Sequence, residues 1–138
     1  MDVTAIPFVA KVGITFTEGG VLTLPFTPDV QNHLQSVHAG AQFALAETAS
    51  GEALQRLFPE LAGKVVPVLR DSQMKFRKPA TATLFAFPSV EEADVGKFRE
   101  QFAKKQRATI SVAVEVRDTQ GVVTAEARFA WFVQGLPA

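Results

Sequence analysis

The chain has no cysteine. That removes disulfides, thiolate metal sites and a cysteine nucleophile in one step. Its two histidines offer no recognisable ligand spacing for a metal. It carries no surplus of either charge, since 14 Lys+Arg balance 14 Asp+Glu. That balance gives no support to nucleic acid or an anionic membrane surface as a partner. No apolar run approaches the ~20 residues a membrane span needs. Met1 to Pro7 lacks a basic segment followed by an apolar one, so no signal peptide is expected and the expected compartment is the cytosol.

What remains is an ordinary globular composition. The 138 residues are 47% hydrophobic and 20% charged, which predicts one domain over residues 1–138 with a real core. Twelve phenylalanines with zero net charge fit a surface partly covered in an oligomer.

The most informative stretch starts at Ala39. Ala39, Gly40, Ala41, Ala44, Ala46, Ala49, Gly51 and Ala53 make a thin helix with no wet face, capped by His38 or Ser36 and stopped near Phe58 by Pro59. Such a helix belongs in the core, and its small residues let a sheet approach closely. Yet Glu47 shares its stripe with Phe43, Ala46, Ser50, Leu54 and Leu57. A buried, unpaired carboxylate must shift its pKa, find a partner or face a polar cleft.

Strand signals surround this helix. Phe8, Ala10, Val12, Ile14 and Phe16 alternate, and Val21 to Phe26 reads as the returning arm of a hairpin after Thr17-Glu18-Gly19-Gly20. Val65 to Lys78 is extended, with Val66, Val68, Met74 and Phe76 on one parity and a bulge suggested at Arg70-Asp71-Ser72. Thr81 to Val90 is a further strand, in which Pro88 suggests an edge or a bend. Val95, Phe98 and Phe102 mark a short amphipathic helix. Ala108 to Val116 and Val123 to Val133 form a long hairpin about Asp118-Thr119-Gln120-Gly121. The predicted class is α+β, a long central helix covered by a curved antiparallel sheet.

Asn32 stands six residues before His38-Ala39-Gly40, and Glu47 nine residues after His38. With the order of elements, this pattern resembles the hotdog-fold thioesterases, within them the phenylacetyl-CoA thioesterase-like branch. There an Asn, a His-Gly-Gly opening the central helix, and an Asp or Glu stand at those intervals. His-Ala-Gly with Glu is similar to an uncharacterised subgroup of presumed thioesterases. Asp71 to Ala80 is similar to the family's strand ending in Pro-Ala, and Val116 to Gly121 to its penultimate turn. Two positions depart from the pattern. Ala39 replaces the first Gly, and Leu69 replaces a Ser or Thr.

The resemblance implies hydrolysis of an acyl-CoA or related thioester, with coenzyme A as part of the substrate and no separate cofactor. Glu47 is the candidate general base or nucleophile. The backbone N–H groups of Ala39 and Gly40, at a helix N-terminus, are the candidate oxyanion donors. Asn32 would orient the water or the thioester, and His38 would hold the loop or polarise the carbonyl. Lys75, Arg77 and Lys78, with Lys104, Lys105 and Arg107, are candidates for the CoA phosphates. The resemblance also implies a homodimer or dimer of dimers, with the site where the helix of one subunit meets a strand of another.

Each residue also has a plainer reading. Glu47 as a carboxylate satisfied by backbone or a partner, His38 as a capping residue, Gly40 as a packing contact and the basic residues as solvated charges are all compatible with the sequence. Two rival functions stay open. A hotdog dehydratase or hydratase would pair His33 with Glu47, fourteen residues on. A non-catalytic acyl-ligand-binding hotdog protein would explain Ala39 and Leu69.

Overall fold

The structure is a computed structural model that describes residues 1–137. The central helix, α2 here, runs Ala39–Leu57, and a six-stranded antiparallel sheet curves around it. Its strands are β1 (Thr15–Phe16), β2 (Leu22–Leu24), β3 (Val65–Phe76), β4 (Leu84–Ser89), β5 (Arg107–Arg117) and β6 (Val123–Gly135). They lie in the order β1-β2-β4-β5-β6-β3. This is the α+β arrangement that the sequence predicts.

The β5–β6 hairpin carries the core. Ala108, Ile110, Val112, Val114 and Val116 on β5 pair with Val133, Trp131, Phe129, Ala127 and Ala125 on β6. All ten are buried. Alternation of this length fixes the register, because a slip of one residue would turn every one of them to solvent. The helix is anchored to this hairpin by a buried hydrogen bond, Thr124 Oγ1 donating to Gln42 Oε1 at 3.0 Å. It lies chiefly against β2, β4 and β5.

A second helix, α3 (Glu92–Lys105), closes the far end of α2. Phe98 is fully buried, with ring centroids 4.4 Å from Phe58 and 5.9 Å from Phe102. Arg99 donates to the Leu57 carbonyl at 3.1 Å, placing a cation at the negative end of the α2 dipole.

The strand expected from Phe8 to Phe16 is instead a short helix, α1 (Pro7–Val12), followed by the two residues of β1. Pro7 opens α1 and Gly13, at φ +92°, ends it. The alternation misleads because Phe8 is 65% exposed while Val9 is buried. Helix-boundary chemistry outweighs a five-residue pattern there. The expected strand Val21 to Phe26 keeps only Leu22–Leu24, all buried. Pro88 lies on an interior strand, yet β2 pairs only as far as Phe85, so that stretch of β4 has a locally free edge.

On β3 the single expected apolar face does not form. The ladder shifts between Leu69 and Asp71, which leaves Arg70 as an extra residue. Before it, Leu69 pairs with Trp131 and faces the helix; after it, Ser72, Met74 and Phe76 pair with Phe129, Ala127 and Ala125 and face the helix. Val66 and Val68 therefore lie on the opposite face from Met74 and Phe76. The bulge was legible in the polar step; its reversal of the strand's two faces was not.

Candidate active site

His38 caps α2. Its backbone is extended, and its Nδ1 accepts from the Gly40 N–H at 2.8 Å. An accepting Nδ1 carries no proton, so the neutral ring holds its hydrogen on Nε2. A Cβ at residue 40 would sit 3.1 Å from Nδ1, so glycine leaves the space the imidazole occupies. One of the two expected oxyanion donors is thus engaged by the cap. The Ala39 N–H has no partner among the described residues. Replacing His38 by Ala is expected to cost about 1 kcal/mol of stability through the lost cap. A lowered denaturant midpoint at unchanged slope would show it, and His38→Asn, a good capping residue, should recover most of the loss. An unchanged midpoint in the Ala variant would refute the capping role.

Asn32 is folded into its own loop. Its Oδ1 accepts from the N–H groups of Leu34 (2.8 Å) and Ser36 (3.1 Å) and from the Ser36 hydroxyl (3.1 Å). The Asn32 N–H donates to the Ser36 carbonyl at 2.8 Å, closing the turn that feeds His38. Its carbonyl oxygen is therefore committed to shaping the loop, and only the amide N–H₂ is left to meet a ligand. His33, in the same loop, is exposed.

Glu47 is half-buried, and burial alone raises its carboxyl above the ordinary glutamate range. It accepts no hydrogen bond and forms no ion pair among the described residues. The partner that the plainer reading required is missing there. Aromatic contacts bracket it on its own stripe. One turn earlier, Phe43 meets Phe129 edge-on, with centroids 5.5 Å apart. One turn later, the Trp131 indole rests on Gly51 and its Nε1–H donates to Ser50 Oγ at 2.9 Å. The Ser50 hydroxyl in turn donates to the Glu47 carbonyl at 2.7 Å. Nothing in the sequence signals this contact, since register between helix and sheet leaves no local trace.

Some of the expected residues are not brought together. Glu47 and Gly40 are seven residues apart on one helix, about 10 Å at its usual rise. The basic candidates also fall into two groups. Lys75 pairs across the sheet with Glu126, which pairs with Glu115. Arg107 begins the same strand that carries Glu115, about 26 Å away at ordinary strand rise. Arg77 is engaged with Glu126 at 2.8 Å, and Lys78 is exposed. Within one chain, Lys104, Lys105 and Arg107 cannot share a ligand's phosphates with Lys75.

A cavity of about 220 Å³ opens on another flank of α2, lined by Gly20, Val21, Glu52, Arg56 and Phe87 among others, and it does not include Glu47. No helix among the described residues is long and apolar enough to cross a membrane.

Solved structures match nearly the whole chain. A Pseudomonas aeruginosa protein of unknown function, described as a probable thioesterase, superposes with a TM-score of 0.80 at 23% identity, covering 97% of this chain and 91% of that one. A Bacillus halodurans protein solved with CoA gives 0.72 at 27% identity, covering 94% of this chain and 76% of that one. A thioesterase from Haemophilus influenzae gives 0.71 at 18% identity, covering 98% and 87%. The likeness establishes the hotdog fold. No curated protein matches the sequence. Residues 3–133 match the family described as a domain of unknown function, DUF4442. With that span of the chain covered and the fold in place, the protein belongs to the DUF4442 family and is built on the hotdog fold of the thioesterases.

Proposed function

We propose that the protein hydrolyses acyl-CoA or a closely related thioester, with Glu47 as the reacting carboxylate. The observation that carries this reading is a half-buried carboxylate with a raised pKa and no partner among the described residues, bracketed by aromatic side chains. A carboxylate whose pKa is raised by burial is a stronger base than an ordinary glutamate. The CoA bound in the Bacillus halodurans relative supports the ligand class.

As general base, Glu47 takes a proton from water while the water oxygen bonds to the thioester carbon. The electron pair of the carbonyl moves to oxygen, and a helix N-terminus holds the resulting charge. The Ala39 N–H, without a partner among the described residues, is available for that role, and the Gly40 N–H joins it when His38 turns from its cap toward the substrate. The tetrahedral adduct collapses by breaking the C–S bond, and the Glu47 proton passes to the departing thiolate. In the alternative route the carboxylate attacks the thioester carbon, the C–S bond breaks to release the thiolate, and water then opens the mixed anhydride at the Glu47 carbonyl. Single turnover in ¹⁸O-water separates the two. Label in the first-turnover acid product supports the general base, and label appearing in Glu47 supports the anhydride.

The separation of Glu47 from Gly40 argues for a site shared between two chains, because one thioester cannot touch both ends of a 10 Å span at its reacting carbon. β3 supplies the joining edge. It is twelve residues long, stands at the end of the sheet and leaves Val66, Val68 and Phe76 about half exposed. Such an edge is an open template for a second strand. The assembly that follows is a homodimer or a dimer of dimers, with Lys75, Arg77 and Lys78 beside the entrance for the CoA phosphates.

The test is release of free CoA from a panel running from acetyl to palmitoyl and including aromatic acyl groups. Turnover of at least one member is expected. Tight binding without turnover would establish a binding protein instead, and neither binding nor turnover would refute the ligand class.

A further inference from the structure

On the flank of α2 away from Glu47, the sheet splits. β2 pairs with β4 only through Thr23–Phe85 and Leu24–Leu84, and Leu22 pairs instead with Phe16 on β1. Beyond Phe85 the two strands part, and the cavity of about 220 Å³ lies in that gap. Its base is apolar, since Leu22, Ala49 and Ala86 are all buried. Val21, Phe87 and Pro88, each more exposed, complete the apolar lining. An apolar cavity of about 150 Å³ admits benzene, so this one has room for a branched aliphatic or phenyl side chain.

Two charged groups of α2, Glu52 and Arg56, stand in the same cavity one turn apart. Glu52 lies five residues beyond Glu47, about 140° around the helix, and is a second carboxylate on a separate face. Its side chain is only 16% exposed, yet its contacts among the described residues are long. Gln55 Nε2 donates to it at 3.4 Å while also serving the Met1 carbonyl at 3.1 Å, and Arg56 Nε stands 3.8 Å away. A charge-assisted hydrogen bond to a carboxylate spans about 2.7–2.9 Å, so Glu52 keeps acceptor capacity for a closer donor. Arg56 is more than half exposed and meets no other carboxylate among the described residues, which leaves most of its donors unengaged.

We propose that this cavity binds a small apolar α-amino acid, of which leucine is the type. The ammonium donates to Glu52, the carboxylate accepts from Arg56, and the side chain enters the gap between β2 and β4. The charge pattern selects a zwitterion over simpler ligands. A plain amine brings a second cation against Arg56, and a plain carboxylate brings a second anion against Glu52. An amino acid carries both complements on one carbon. An apolar pocket with a few convergent polar groups is the usual build of a small-molecule site. This inference is independent of the thioesterase reading, because none of these residues takes part in the chemistry at Glu47.

The test is calorimetry with L-leucine, its decarboxylated analogue 3-methylbutylamine and its deaminated analogue 4-methylpentanoate. Saturable binding of L-leucine is expected, with each analogue weaker by about tenfold or more for the ionic contact it lacks. Arg56→Gln changes an exposed side chain and should leave the fold intact. It is expected to weaken L-leucine about tenfold without weakening the amine. Glu52→Gln should weaken L-leucine and the amine but not the carboxylate. An amine that binds as tightly as L-leucine overturns the amino-acid assignment in favour of a simple organic cation. Binding that neither variant alters, or no binding by L-leucine, L-valine or L-phenylalanine, overturns the site. Release of CoA from acyl-CoA by the same preparations reports separately on the thioesterase reading.

Discussion

Replacing Glu47 by Gln is expected to lower kcat/KM for the best acyl-CoA by about 10²–10⁴-fold, the range a positioned general base contributes. The amide keeps the size of the side chain and loses its basicity. The same variant should be more stable than the parent at neutral pH, and here the sign can be worked out. Burial raises the carboxyl's pKa in the folded state above its unfolded value. The folded state therefore favours the protonated form. With respect to this group, the parent is most stable below the unfolded pKa of about 4.3 and loses stability as pH rises through the higher folded value. Gln has no charge to bury. The difference in Tm between variant and parent should therefore be open at pH 7 and close toward pH 4. The acid limb of the pH–rate profile should likewise lie above the ordinary glutamate range. Full activity in the Gln variant would end the catalytic assignment. Lost activity with a lower Tm at pH 7 would mark Glu47 as a structural group instead.

The second large effect is on stability. Phe129→Ala should cost about 3–5 kcal/mol, against a total of about 5–15 kcal/mol for a typical domain. Phe129 is fully buried at the centre of β6, between Ser72 and Val112 on the neighbouring strands, and it holds Phe43 edge-on. Truncation removes the ring's transfer energy, opens a cavity and breaks the aromatic pair. Urea unfolding would measure it, and Phe129→Leu should lose markedly less because it refills most of the space. A loss under about 1 kcal/mol for the Ala variant would mean that the helix is not held against the sheet through this contact. Activity should fall with stability in the Ala variant, because the freed Phe43 lies one turn from Glu47.

Much of this arrangement was legible in the chain. The thin helix declared itself through its alanines and glycines, and the β5–β6 hairpin through an uninterrupted period of two. His38 and Glu47 stood out by spacing and by the conflict between a carboxylate and an apolar stripe. Other features were hidden for physical reasons. The opening segment alternates like a strand, yet Pro7 and Gly13 set the boundaries of a helix, and local boundary chemistry decided the outcome. The hydrogen bond from Gly40 to His38 depends on one side-chain rotamer, which residue order does not encode. The contacts of Trp131 with Ser50 and Gly51 join residues 81 and 80 positions apart in the chain, and only the docking of helix on sheet creates them. The division of the basic residues between opposite ends of β5 likewise follows from strand pairing and not from composition.

The extra residue at Arg70 has a consequence for anyone comparing this chain with its relatives. Side chains facing the helix carry odd numbers up to Leu69 and even numbers from Ser72 onward. A relative without the extra residue presents the same inward row one position out of step. Aligning the two without a one-residue gap at Arg70 would exchange inside and outside for half of the strand. It would credit Asp71 and Gln73 with a place on the helix side that belongs to Ser72 and Met74. Leu69, which replaces a polar residue of the family pattern, sits beside that gap.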